Sequence, residues 1–191
     1  MSFPSLGPEE RRQLLRLARE AVAAGVECRP ATRFDLAPAL AQPAAAFVTL
    51  TRRSDGELRG CIGYVEAVRP LAEAVAEAAR LAASEDRRFD PVTRAEVGNL
   101  SVEISVLSPL LPTRPDEVVV GIHGLMIRYA GRSGLLLPQV PAEHGWDREK
   151  FLDETCRKAG LPPGTWKEPG VELLAFTADV FGEDEAGETS F

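Results

Sequence analysis

The chain has 191 residues, of which 45% are hydrophobic and 27% charged. This is enough for one sizeable core, or for a main lobe with a smaller one, and it excludes a wholly disordered chain. The formal net charge of −7 argues against a general binder of nucleic-acid backbones, although a local basic patch can exist within that average.

The expected cellular location and redox state follow from features that the sequence lacks. No apolar run approaches the roughly 20 residues that cross a bilayer, and the first residues lack the basic start and apolar middle of a signal peptide. We therefore expect a cytoplasmic protein with no membrane span. The three cysteines, Cys28, Cys61 and Cys156, form no CxxC pair, which predicts reduced thiols rather than a disulfide framework or a zinc cage.

The first half of the chain reads as a helix, a hairpin and a second helix. Leucines and alanines recur at helical spacing after Pro8, and Gly25 is a typical helix end. Asp55-Gly56 is a strong hairpin signal between two apolar, β-branched runs. In chain order we predict a helix from Pro8 to Gly25, a loop at 30–43, strands at 46–51 and 58–64, and a helix that begins at Pro70.

The second half contains the clearest strand. Over 100–107 apolar residues alternate with Ser101, Glu103 and Ser105, so one face is expected in the core and the other at water or a cleft. Asp147 is a suitable N-cap for a last helix. The further predictions are a helical turn after Thr93, irregular structure at 109–115, a hairpin at 124–137 with its turn at 131–134, a helix from Asp147 to about Ala159, a strand at 171–181 and an acidic tail at 183–191.

Helices and antiparallel hairpins interleave without a βαβ rhythm, which predicts an α+β fold. We expect a single domain over 1–191, with a main antiparallel sheet flanked by helices and a smaller second α+β lobe whose boundary the sequence does not fix.

Motif searches predict no cofactor and no metal. No GxGxxG opens a helix, and neither a GxxxxGK[ST] nor a GxSxG motif occurs. The two histidines, His123 and His144, do not form a short ligand pair. A site made of both histidines and distant carboxylates is the alternative.

Cys61 is the candidate nucleophile. Strand alternation places Arg59, Cys61 and Gly63 on one face and Gly60 on the other. A cation beside a thiol favours the reactive thiolate, and the glycines allow a ligand or another backbone to approach closely. The alternative is that Cys61 is a small buried hydrophobe and that the glycines mark a bulge or tight packing.

Three further residues are candidates for the same site. Glu103 would pair with Arg59 if their strands were neighbours, which suits binding or base chemistry; otherwise it is a solvated carboxylate. Ser105 lies on the face of Glu103. Arg88 follows the second helix and either holds an anionic ligand or caps the last carbonyls of that helix.

The segment Leu58–Gly63, LRGCIG, resembles the hallmark motif of the AMMECR family, whose prokaryotic members are called AmmeMemoRadiSam system protein A. Where many relatives read Asp-Pro-Arg-Phe, this chain has Asp86-Arg87-Arg88-Phe89, so Arg88 takes the matching arginine position. The similarity continues in order through 47–50, 69–71, 86–91, 102–109, 121–125, 137–140, 145–147 and 158–161.

The resemblance implies the same α+β fold with a smaller second lobe, and it implies no particular reaction. The system name implies genomic association with a radical SAM enzyme and a Memo-type protein, and a role in RNA modification has been suggested for the family. Our leading hypothesis is an enzyme of small molecules or modified residues, or an accessory subunit of one. Its cleft would be lined by Arg59, Cys61, Gly63, Glu103 and Ser105, with Arg88 near the rim. Cys61 and Glu103 would be catalytic, and the binding residues would be Arg59, Gly60, Gly63, Arg88 and Ser105.

Two other classes of function stay open. One is a non-catalytic adaptor that binds protein partners through the same groove. The other is an RNA-modification factor, which needs a basic surface that the overall acidity disfavours. The arginines that could form such a surface are Arg11, Arg12, Arg16 and Arg19, diluted by Glu9, Glu10 and Glu20.

Overall fold

The structure, a computed structural model, describes residues 6–183. Within that range it contains four α-helices and two four-stranded antiparallel sheets, which confirms the predicted α+β fold. The elements are α1 (Pro8–Val26), β1 (Ala45–Arg52), β2 (Leu58–Tyr64), α2 (Leu71–Ser84), β3 (Leu100–Leu107), β4 (Leu111–Pro112), β5 (Gly124–Tyr129), β6 (Arg132–Leu136), α3 (Gln139–Glu143), α4 (Arg148–Lys158), β7 (Glu172–Phe176) and β8 (Ala178–Gly182). No helix in this range combines the length and apolar character needed to cross a membrane.

The first compact unit comprises residues 6–107 and 179–183, and its sheet has the strand order β2-β1-β3-β8. Alternate residues of β1 and β3 face a core that also contains the apolar stripes of α1 and α2. Alanines dominate the buried side of α2, so this helix can lie close to the sheet. The strand residues buried in this core include Ala46, Val48, Leu50, Leu100, Val102, Ile104 and Val106.

The second compact unit is Ser108–Ala178, with the strand order β4-β7-β5-β6. Phe151 and Leu152 of α4 pack with Leu125 and Ile127 of β5 in a separate core. The carboxylate of Asp147 accepts a hydrogen bond from the Lys150 amide at 2.8 Å, which confirms the predicted N-cap of this helix. The smaller lobe of the prediction is therefore present as a unit with its own core.

Helix α1 ends later than predicted. It continues past Gly25 to Val26, and amide hydrogen bonds from Cys28 and Arg29 to carbonyls of the last turn close it as a Schellman motif. Cys28 occupies the left-handed position, at φ 52°, where glycine is favoured. Gly25 has another role, because a Cβ there would lie 2.9 Å from Cγ of Arg80 on α2. It allows the two helices to approach closely.

The turn of the second hairpin was also predicted wrongly. The four-residue turn at 131–134 is replaced by a two-residue turn, Ala130-Gly131, with φ values of 50° and 74°. Two positive φ angles characterise the type I′ turn, whose twist matches that of the flanking strands. Residues 132–134 therefore belong to β6. The proline-rich region 109–115 contains one short strand, β4, where irregular structure was expected.

The predicted final strand at 171–181 is in fact two strands of different sheets. β7 belongs to the second unit, whereas β8 joins the edge of the first unit's sheet beside β3. Ser108 and Thr177 mark the ends of the intervening segment: the Ser108 amide donates to the Thr177 carbonyl, and the Thr177 amide donates to Oγ of Ser108, both at 2.9 Å. The second unit is thus an insertion between two neighbouring strands.

Glu183, the first residue of the predicted acidic tail at 183–191, belongs to the folded first unit. The Glu183 carboxylate pairs with Arg19 and accepts hydrogen bonds from Arg53, at 2.7 Å, and from the Val102 amide, at 3.1 Å. It therefore ties the end of β8 to α1 and β3. Residues 184–191 lie outside the described range.

Candidate functional site

The two faces of β2 have different surroundings. A Cβ on Gly60 would lie 2.0 Å from the Ala82 carbonyl oxygen, so this glycine faces α2 and permits close packing. Ile62 and Tyr64 also pack against that core. Cys61 is on the opposite face by alternation, and we call this second side of the sheet the Cys61 face.

A row of three side chains crosses the Cys61 face. Thr49 of β1 is in register with Cys61 of β2 on one side and with Glu103 of β3 on the other. The Thr49 hydroxyl is 3.4 Å from the Cys61 sulfur, a hydrogen-bonding distance for a sulfur acceptor. All three residues are half-buried. Because strands lie about 4.8 Å apart, the Cα atoms of Cys61 and Glu103 flank Thr49 at a total separation of about 10 Å.

The next row contains Gly63, Phe47 and Ser105. A Cβ on Gly63 would lie 2.3 Å from Cγ of Phe47, so the aromatic ring covers the glycine. Ser105 is only 1% exposed. The structure thus brings Ser105 and Gly63 to the same face as Cys61, with Ser105 buried and Gly63 beneath a ring.

Arg59 is held by a loop and not by Glu103. β1 lies between their strands, so the condition for the predicted Arg59–Glu103 pair is not met. Instead Nε of Arg59 donates to Glu96 at 2.8 Å, and its Nη atoms donate to the carbonyls of Asp90 and Pro91 at 2.8 and 3.3 Å. The guanidinium is 9% exposed and connects β2 to the segment that precedes β3. Its charge is therefore balanced by Glu96.

A second ion pair covers the outer edge of β2 at Cys61. The Asp86 carboxylate accepts the Cys61 amide at 2.9 Å and two guanidinium bonds from Arg88 at 2.9 and 2.6 Å. Nη2 of Arg88 is also 3.5 Å from the Cys61 carbonyl oxygen. Hydrogen bonds from Arg88, and then from the Cys61 amide, lower the pKa of Asp86 to about 2, so this carboxylate is ionised at neutral pH. The pair therefore supplies partners for the backbone amide and carbonyl of Cys61 at the exposed edge of the sheet.

The other cysteines have different surroundings. All three thiols are free: Cys28 is exposed, Cys61 is half-buried and Cys156 is buried in the core of the second unit. Burial raises the pKa of the Cys156 thiol, which disfavours its reactive thiolate. Among the three, Cys61 alone lies on a sheet with a polar side chain at hydrogen-bonding distance from its sulfur.

Both histidines lie in the second unit. Nδ1 of His123 accepts the Val119 amide at 3.2 Å, so it completes a turn. The His144 ring stacks on Trp146 with centroids 4.9 Å apart. Both contacts are structural.

The arginines proposed as a basic patch on α1 are largely neutralised. Arg11 pairs with Asp179, Arg12 with Glu9 and Arg19 with Glu183. These pairs weaken the argument for a nucleic-acid surface there.

The fold and the site together define an α+β protein of two antiparallel sheets, with a half-buried thiol on the larger one. The chain belongs to the AMMECR1 family, because the AMMECR1 family model matches residues 15–181. This confirms the resemblance that the LRGCIG motif indicated.

Individual relatives agree over nearly the whole chain. A protein of Methanopyrus kandleri is 44% identical over 191 aligned residues, which cover 93% of this chain and 90% of that protein. A protein of Methanothermobacter thermautotrophicus is 42% identical and covers 96% of this chain and all of its own length. The crystal structure of uncharacterised protein PH0010 from Pyrococcus horikoshii has a TM-score of 0.87 at 42% identity, over 94% of each chain. These similarities support the fold, and the names of these relatives identify no reaction.

Sequence reasoning missed Thr49, Asp86 and Glu96 as members of the site. Thr49 lies on a strand recognisable from its β-branched residues, but its register with Cys61 depends on the hairpin geometry. Asp86 follows the second helix in a loop, where its distance from Cys61 has no local signal. Glu96 did have one, because it lies in the helical turn predicted after Thr93, three residues on, where a carboxylate can accept the amide that begins the turn; it does accept the Thr93 amide at 2.7 Å.

Proposed function

We propose that the protein is an enzyme whose nucleophile is Cys61 and which acts on a small molecule at the Cys61 face. The supporting observation is the row Cys61–Thr49–Glu103, which places a thiol, a hydroxyl and a carboxylate side by side across three strands. In this proposal the Cys61 thiolate adds to a carbonyl carbon of the substrate, so that the S–C bond forms as the electron pair of the C=O π bond moves onto the oxygen; Glu103 accepts a proton from the bound substrate and returns it to that oxygen. Thr49 donates a hydrogen bond to the negative sulfur.

The remaining predicted residues have supporting roles in this proposal. Gly63 and Ser105 lie beside the row and shape the site, while Gly60 and Arg59 hold β2 in place from α2 and from the loop at Glu96. Arg88 stands at the rim, next to the Cys61 backbone.

The first test is the alkylation rate of each cysteine, measured by mass spectrometry between pH 6 and 9 in the folded protein. Cys28 is the exposed reference and Cys156 the buried one. We expect Cys61 to react faster than Cys28 at neutral pH despite its lower exposure. Reaction of Cys61 only after unfolding would refute nucleophilic catalysis and leave the face as a structural or adaptor surface.

The contribution of the hydroxyl is tested by Thr49→Val. Loss of a hydrogen bond to a thiolate should slow Cys61 alkylation at neutral pH about fivefold, equivalent to about 1 kcal/mol. Thr51→Val is the matched control, because Thr51 lies on the same strand and face but is paired with Ser101 instead of Glu103. Equal rates in the two variants would show that the hydroxyl does not act on the sulfur.

We further propose that the enzyme works in the cytoplasm with a radical SAM enzyme and a Memo-type protein. The three free cysteines support a reducing compartment, and the partners are supported by the family's system name alone. Co-purification of both partners with tagged wild-type protein, and with Cys61→Ser, tests this proposal. Retention of partners by the variant is expected, because the thiol acts on the substrate and not on the complex.

A further inference from the structure

Arg88 is fixed beside the candidate nucleophile in a way that leaves part of its guanidinium available. Nε and Nη2 are held by Asp86, and Nη2 also lies 3.5 Å from the carbonyl oxygen of Cys61. Within residues 6–183, Nη1 has no hydrogen-bond partner, and the side chain is 50% exposed. The group therefore presents donors to solvent at the edge of the Cys61 face.

Asp86 makes this arrangement rigid. Its side chain is 8% exposed, and its two oxygens accept the amides of Cys61 and Arg88 as well as the Arg88 guanidinium. The position of the guanidinium is thus coupled directly to the backbone of Cys61. A preorganised donor loses little side-chain entropy when it binds a ligand.

We infer that the substrate of the Cys61 site bears a carboxylate, which Arg88 binds so that the electrophilic carbon lies over Cys61. The inference depends on the proposed thiol chemistry of Cys61 and adds a substrate class to it. Asp86 occupies the Nε–Nη2 fork of the guanidinium, so the remaining Nη1 donors supply a charge-assisted hydrogen bond to the substrate carboxylate.

The charges on the face also define a direction for the bound molecule. Arg88 lies at the outer edge of β2, whereas Glu103 is two strands away on β3 and would repel a carboxylate. The anionic end is therefore placed at Arg88 and the group that loses a proton at Glu103, with Cys61 and Thr49 between them.

The test compares two alkylating reagents of similar size, iodoacetate, which is a carboxylate, and iodoacetamide, which is neutral. The measured quantity is the ratio of their rate constants at Cys61, divided by the same ratio at the exposed Cys28. This quotient cancels any change in the intrinsic reactivity of the thiol. Although Asp86 pairs with Arg88, the guanidinium is 50% exposed and the carboxylate only 8%, so the reagent meets the cation first. We therefore expect a value above 1, up to about 5, at low ionic strength, falling towards 1 in about 1 M salt, where the Debye length is about 3 Å.

Arg88→Gln removes the charge while keeping a long polar side chain. It should reduce the quotient to about 1, the value expected when no cation favours the carboxylate reagent. Arg87→Gln is the matched control, because Arg87 is the exposed neighbouring arginine and should leave the quotient unchanged. Far-UV circular dichroism of both variants verifies that each is folded.

Two negative results are distinguishable. If both reagents modify Cys61 in the folded protein with a quotient near 1, or if Arg88→Gln leaves a high quotient intact, the carboxylate inference is wrong while the thiol proposal stands. If neither reagent modifies Cys61 before unfolding, the thiol proposal fails and the inference fails with it.

Discussion

Replacement of Gly60 by alanine should destabilise the first unit, because this glycine lies in close contact with the backbone of α2. The new Cβ would lie 2.0 Å from the Ala82 carbonyl oxygen and 3.0 Å from its carbonyl carbon. Both are backbone atoms, so no side-chain rotation relieves the overlap, and α2 must move by about 1 Å to restore an ordinary contact. Because the alanine face of α2 is closely packed, this shift opens gaps elsewhere in the core.

We expect Gly60→Ala to lower the free energy of unfolding by at least about 3 kcal/mol, at the upper end of the cost of overpacking. Gly98→Ala is the matched control, since a Cβ there meets no atom within 4 Å and its φ is not positive. It should change stability by less than about 0.5 kcal/mol.

Urea titration measures both variants, with two probes that separate the units. Far-UV circular dichroism reports the whole chain, whereas both tryptophans, Trp146 and Trp166, lie in the second unit and report that unit by fluorescence. The dichroism midpoint should fall strongly for Gly60→Ala. A midpoint close to that of Gly98→Ala would refute the packing role of Gly60. It would favour the alternative that Gly60 allows a ligand to approach closely.

Arg59→Met should cost about 3 kcal/mol, because it leaves Glu96 and two carbonyls without their buried donor; chemical denaturation measures this, and a loss below about 1 kcal/mol would contradict it. Hydrogen bonds from Arg59 and Thr93 lower the pKa of Glu96 to about 2, below its unfolded value, so its stabilisation of about 1 kcal/mol is present at neutral pH and is lost as the pH falls from about 4 to 2. Denaturation curves of Glu96→Gln across this range should show a weaker pH dependence, and parallel profiles would exclude the linkage. Cys28→Gly should stabilise the protein by about 0.5 to 1 kcal/mol, since it places glycine at the left-handed end of α1; an unchanged or lower melting temperature would argue against strain there.

The sequence predicted best those elements whose signals are local. The strands at 58–64 and 100–107 were placed with their observed bounds, because a hairpin signal precedes the first and apolar alternation runs through the second. The end of α1 was misplaced because glycine serves two purposes: it ends helices and it allows close approach. At Gly25 the second purpose applies, and the distance to Arg80 that decides this is a tertiary property.

The site was predicted only in part for the same reason. Cys61 shares a face with Gly63, and Glu103 with Ser105, as alternation along each strand requires. The register of β1 with both strands then places all four residues on the same face. The partner of Arg59 could not be inferred, because the order of strands in the sheet decides whether Glu103 or Glu96 is within reach. Strand order depends on pairing between segments far apart in the chain.

The insertion of the second unit between β3 and β8 affects the order in which the protein can form during synthesis. The larger sheet cannot acquire β8 until all of Ser108–Ala178 has left the ribosome. Closing an unstructured loop of about 70 residues costs ~4 kcal/mol in chain entropy. If the inserted unit folds first, the hydrogen bonds between Ser108 and Thr177 bring the two ends together and remove much of that cost. Prior folding of the insertion would therefore keep the end of β3 close to the start of β8. Mutations that destabilise the inserted unit should then slow completion of the sheet that carries Cys61.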